Sequence, residues 1–166
     1  MVETIGRPLL ARLFASVMSL VTLVVILQGV LFGGFYRNLS PDSTWMDVHS
    51  LVGIITVAVV VLVLAPLSYL ARFPRNTYIT VLTFALAVAW ILTYEMGRAI
   101  EDERSLAIAH IPLALAVFGL SGHLTGRSYL AIRRSRQAAA AASQVRSGES
   151  EDPAAQATEV SRNTEA

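Results

Sequence analysis

The chain has 166 residues and a mass of 17.9 kDa, with 54% apolar residues, only 15% charged residues and a mean hydropathy of +0.57. That balance is too apolar for a soluble domain of this size and points to a membrane protein. Zero cysteines exclude a disulfide framework, a thiolate metal site, an iron–sulfur cluster and a thioether-linked c-type haem, and a net charge of +1 leaves no strongly basic surface for nucleic acid.

Crossing about 30 Å of hydrocarbon takes about 20 apolar residues at a rise of about 1.5 Å each. Four uncharged runs reach that scale, at 13–36, 48–71, 77–94 and 105–126, and none has an Arg, Asp or Glu in its interior. They predict an all-α, integral membrane four-helix bundle. Residues 1–12 form a short N-terminal segment before the first run, which is longer than the roughly 7–15-residue core of a signal peptide and so reads as a retained anchor. Beyond 126, residues 127–146 are rich in Ala and Arg, both strong helix formers, and predict a basic helical extension. Residues 147–166 turn to Ser, Glu, Asp, Thr and Pro with almost no large apolar side chain, the composition of a disordered tail.

Arginines near span ends are retained on the cytoplasmic side. Arg7 and Arg12, Arg72 and Arg75, and Arg127, Arg133, Arg134 and Arg136 lie at one set of span ends, whereas the other set has only Arg37, Arg98 and Arg104 among several carboxylates. Both termini are therefore expected in the cytoplasm, with the chain multi-pass in a cell membrane, in a bacterium the inner one. The lipid bilayer is its first partner; nucleic acid is not one.

Ionisable side chains at membrane depth are costly and tend to face a bundle interior or a functional cavity. His49 opens the second run and His110 lies near the head of the fourth, so both fall within about 10 Å of the outer boundary. His123, thirteen residues further on, falls nearly 20 Å lower and reads as a polar residue of the inner interface. Two neutral imidazoles at one depth on different helices can hold a haem iron from both sides. Gly53 and Ala114 flank them and leave room for a flat macrocycle, and Gln28 and Gly29 reach the same level from the first helix. Arg37, Arg98 and Arg104 are candidate partners for the haem propionates, and Glu95 or Asp47 for the second ring nitrogen of a ligating histidine. Gly29 and Gly33 also match the small-xxx-small spacing of close helix packing, and Trp90, Tyr94, Tyr69 and Tyr78 the aromatic belt of a membrane interface.

Four spans with His49 at the head of the second and His110 near the head of the fourth, 61 residues apart, resemble one four-helix half of haem A synthase. The resemblance covers roughly 12–127 and implies a histidine pair that ligates b-type haem. Met46 stands where that family has a Glu three residues before its first helix-two His, the outer-loop cysteines have no counterpart, and only one half is present. Those departures favour electron transfer or haem handling, with a redox partner or a larger membrane complex, over oxygenase chemistry. The chain is also similar to short four-span membrane proteins of high-GC bacteria, which implies the competing class: a scaffold or accessory subunit without cofactor, its histidines only hydrogen-bonded.

Overall fold

The computed structural model describes residues 5–38, 44–74, 76–100 and 103–149. They are all-helical: α1 (Pro8–Asn38), α2 (Thr44–Val59), a π-helical stretch (Val60–Leu64), α3 (Ala65–Leu70), α4 (Asn76–Ala99), a single 3₁₀ turn (Arg104–Leu106) and α5 (Ala107–Glu149), with no strand among the described residues. α2, the π stretch and α3 follow one another without a break, so the helical rods number four. Each is long and apolar enough to cross a membrane. Most of their apolar surface faces outward, with side chains such as Leu9, Leu62 and Ile108 more than 70% exposed. Water does not tolerate so wide an apolar surface, whereas acyl chains do.

The π stretch lies just before Pro66. Proline has no N–H to give and its ring crowds the carbonyl four residues back, here that of Leu62. The ladder widens ahead of it, and the Ala65 N–H reaches the Val60 carbonyl five residues back. Val60 and Leu64 are fully buried, so the widened turn stays packed against the other rods. Pro112 is accommodated inside α5, which runs on without interruption. α5 also carries straight through the basic stretch to Glu149; residues 150–166, most of the segment expected to be disordered, lie outside the described residues.

α1 and α5 pack antiparallel. Ile5 N–H donates to Ser135 Oγ (3.5 Å), the Ser19 hydroxyl to Tyr129 Oη (3.3 Å), and the Thr22 and Thr125 hydroxyls share a bond of 3.0 Å. At the same end Arg72 adopts the left-handed region (φ 52°) past the end of α3, two residues before Pro74. Its carbonyl accepts from the Gly6 N–H at 3.2 Å. A Cβ on Gly6 would stand 3.1 Å from Arg72 Cβ, so glycine suits this close approach. The N-terminus, the α3–α4 turn and the basic part of α5 therefore meet at one end of the bundle.

Most buried hydroxyls are satisfied within their own helices. Thr56, Thr83, Thr93, Ser121 and Ser128 each donate to the carbonyl four residues back, at 2.7–2.8 Å, whereas the buried Thr80 hydroxyl has no partner among the described residues. Such residues are small enough for close helix approach. The largest side chain with no exposed surface is Phe14, whose ring meets Phe73 edge-on at 5.4 Å. Phe14→Ala is expected to cost about 3–5 kcal/mol, because surrounding helices only partly close the void. The check is a clearly lower thermal unfolding midpoint in detergent, with Leu9→Ala, at a site 76% exposed, leaving it unchanged.

Candidate functional site

His49 lies on the second turn of α2 and His110 on the first turn of α5. Both helices begin at the end of the bundle opposite the Gly6–Arg72 contact, which is also where α4 finishes. The two histidines line one cavity of about 510 Å³. Gln28 and Gly29 of α1, Gly53 of α2, Trp90, Thr93, Gly97 and Arg98 of α4, and Ala114 and Val117 of α5 complete much of its wall. The volume falls in the range of about 300–1,000 Å³ typical of cofactor and small-molecule sites, and the wall is mainly apolar with a few convergent polar groups.

The Gln28 backbone lies beside the His49 ring and the Thr93 backbone beside the His110 ring, and the rings are near enough for charge on one to be felt at the other. The Gln28 side chain returns the contact, its Nε2 donating to the His49 carbonyl at 3.0 Å. This buried amide thus finds a partner in the backbone of His49. Gln28 Oε1, Trp90 Nε1 and His110 Nδ1 are buried and make no hydrogen bond among the described residues. Leaving such a group unsatisfied costs about 1–3 kcal/mol, so three around one cavity mark a place built to meet something polar.

The space is made by other glycines than the one expected to make it. At Gly53 an added Cβ would lie 3.3 Å from Tyr94 Cδ2 and 3.6 Å from Gln28 Nε2, so that gap is already filled by the tyrosine ring. Gly97 leaves space of another kind: its Cβ would stand 3.0 Å from His110 Cε1, so the absence of a side chain there lets the imidazole pack against the backbone of α4. Gly29 faces open space, with nothing within 4 Å of an added Cβ, so it makes no close helix contact there.

Trp90 is not a belt residue. It is 5% exposed and lines the cavity, whereas Tyr69 and Tyr78 are exposed as a belt requires. Thr93 and Gly97 were not singled out from sequence, yet with Trp90 they form an i, i+3, i+7 stripe along α4, and that periodicity was the available signal. Arg98 reaches the cavity rim and pairs loosely with Glu95 at 3.9 Å, both largely exposed. Glu95 and Asp47 are thus exposed carboxylates, and carbonyls rather than carboxylates stand beside the histidines. The side chains of Gly33's neighbour Arg37 and of Arg104 lie outside the described residues. His123 is exposed far down α5, where its Nε2 meets Tyr78 Oη at 3.1 Å and Arg127 stacks over the Tyr78 ring at 5.7 Å.

Among the described residues no cluster of three or more His, Cys, Asp or Glu could hold a bare metal ion. The chemistry open to the site is that of two imidazoles lining one cavity. Comparison with protein-family models, curated proteins and solved structures finds no match to this chain.

Proposed function

We propose that this chain is a multi-pass membrane protein that binds one b-type haem between His49 and His110 and passes single electrons near the outer face of the membrane. The observation that carries the reading is that two histidines 61 residues apart in sequence line one cavity in the interior of the helix cluster. The residues fit such a group. A ligating histidine needs its second ring nitrogen oriented by a neighbouring acceptor, and the backbones of Gln28 and Thr93, which lie near the His49 and His110 rings, are the candidates for that role. Gly97 leaves room for the His110 ring, and Arg98 and the Trp90 N–H offer donors for propionates at the rim and wall.

Haem bound by two histidines supplies one-electron exchange and has no open position for oxygen, so electron transfer or haem handling is the chemistry proposed, with a redox partner or larger membrane complex docking at the cavity end. What the protein itself does is hold the two rings, exclude water with apolar side chains and present cationic and N–H groups to anionic substituents. Protein purified in detergent after expression with haem supply is expected to give a reduced-minus-oxidised spectrum with sharp α and Soret bands at one haem per chain. A colourless protein would leave a cofactor-free scaffold or accessory subunit.

Both termini are proposed to be cytoplasmic. Support comes from the contacts that gather the N-terminus, Arg72 and the basic part of α5 at one end, which concentrates arginine there and leaves the cavity end poor in it. A reporter enzyme that works only outside the cytoplasm, fused after residue 149, is expected to be silent, and the same reporter placed in the 39–43 connection to be active. The reverse pattern would overturn the orientation.

A further inference from the structure

At the opposite end from the histidines a second concavity, of about 580 Å³, opens between the first turns of α1 and the basic stretch of α5. Arg12, Arg133 and Arg136 line it together, with Ser16 and Tyr129 adding polar groups and Ile132 its apolar floor. The helix register explains the convergence. Ile5 lies against Ser135 and Thr22 against Thr125, so the antiparallel pairing brings Arg12 alongside the turn that carries Arg133. Arg133 and Arg136 are three residues apart and so share one face of α5.

No carboxylate lines the cleft, and none of the three arginines forms an ion pair among the described residues. Three like charges around one concavity repel one another unless an anion sits between them. Guanidinium groups suit the paired oxygens of a phosphate better than those of any monodentate anion. The same stretches of α1 and α5 expose Leu13, Leu20 and Leu130 beside the charged turns, an apolar seat of the kind acyl chains occupy. We infer that the cleft between α1 and α5 binds the phosphate headgroup of an anionic phospholipid, with Arg12, Arg133 and Arg136 as its contacts. This rests on the membrane insertion proposed above and is independent of haem. Basic pockets between spans at the cytoplasmic side are where such headgroups are held.

The test uses the full-length protein, delipidated in neutral detergent, with native mass spectrometry titrating phosphatidylglycerol and phosphatidylcholine in parallel and inorganic phosphate as competitor. Wild type is expected to retain phosphatidylglycerol under activation that strips phosphatidylcholine, with millimolar phosphate failing to displace it. Each of Arg12→Gln, Arg133→Gln and Arg136→Gln is expected to weaken phosphatidylglycerol binding about fivefold, and the triple variant on the order of 100-fold, from the contribution per arginine near a lipid surface. Arg134→Gln removes the same charge outside the cleft and is expected to bind as wild type. Equal retention of the two lipids, an Arg134→Gln loss equal to that of Arg133→Gln, or displacement by phosphate each overturns the inference, the last by making the cleft a site for free anions. Should the triple variant lose helicity, the single variants and the wild-type lipid comparison decide the matter. The haem spectrum of Arg133→Gln is expected to be unaltered, and membrane fractionation tests insertion by itself, so failure here is distinguishable from failure of the haem or membrane reading.

Discussion

His49→Ala and His110→Ala are each expected to abolish the low-spin haem spectrum, with a loss of occupancy exceeding the roughly 10–100-fold typical when only a residue supporting a metal ligand is changed. If both rings ligate the proposed haem, either variant would leave it a single histidine ligand, and any haem that remains should show the broad bands of a high-spin centre. The cavity walls predict a rescue. His110 lies against Gly97, and truncation frees the volume of an imidazole beside a site already about 510 Å³ in size. Free imidazole added to His110→Gly should therefore restore the sharp bands. A histidine that served only as a hydrogen-bonding residue would behave otherwise: its loss would shift stability by about 1 kcal/mol, and imidazole would restore no colour. His123→Ala, which removes a ring bonded to Tyr78 thirteen residues further along α5 than His110, is expected to leave the spectrum intact.

Gly97→Leu is expected to empty the cavity of cofactor while both histidines remain. An added Cβ meets His110 Cε1 at 3.0 Å, and the branched atoms beyond it have only the ring and the cavity to enter. The substitution raises helix propensity by about 0.8–1 kcal/mol, so α4 itself is not weakened, and loss of haem with retained helicity would show that ring placement matters and not merely ring presence. Gly29→Ala is the paired control, since an added Cβ there meets nothing within 4 Å and the spectrum should change little. A Gly97→Leu protein that binds haem as wild type does would remove the cavity from the argument and leave the histidines as surface ligands at most.

Much of the architecture was legible in the residues. Four uncharged stretches of membrane-spanning length became four helical rods, extended by several residues at their ends because helices continue into flanking polar sequence where nothing breaks them. Counting turns put His49 and His110 near the same end of their rods, and the two histidines do line one cavity. Gln28, Ala114 and Arg98 reach that cavity as well. Less visible was which small residue makes the space. Gly53 lies one turn below His49 and reads as clearance, yet Tyr94 of α4 packs over it, and Gly97, not adjacent in sequence to any histidine, supports the His110 ring. Trp90 likewise matched a belt position by its place near a span end, but the rotation of α4 turns it inward to 5% exposure.

Hydropathy and the positions of proline, glycine and arginine determined, without any tertiary information, the class, the number of rods, their approximate lengths and the place of each polar side chain along its rod, because these depend on a span length and a helical rise that are the same for every chain. The azimuth of each rod about its own axis, and hence which side chains face one another, is set by how four uneven surfaces interlock. That interlocking brings Gly97 to His110, Gln28 to the carbonyl of His49 and Arg12 to Arg133, and no single helix carries the information that any of them will meet.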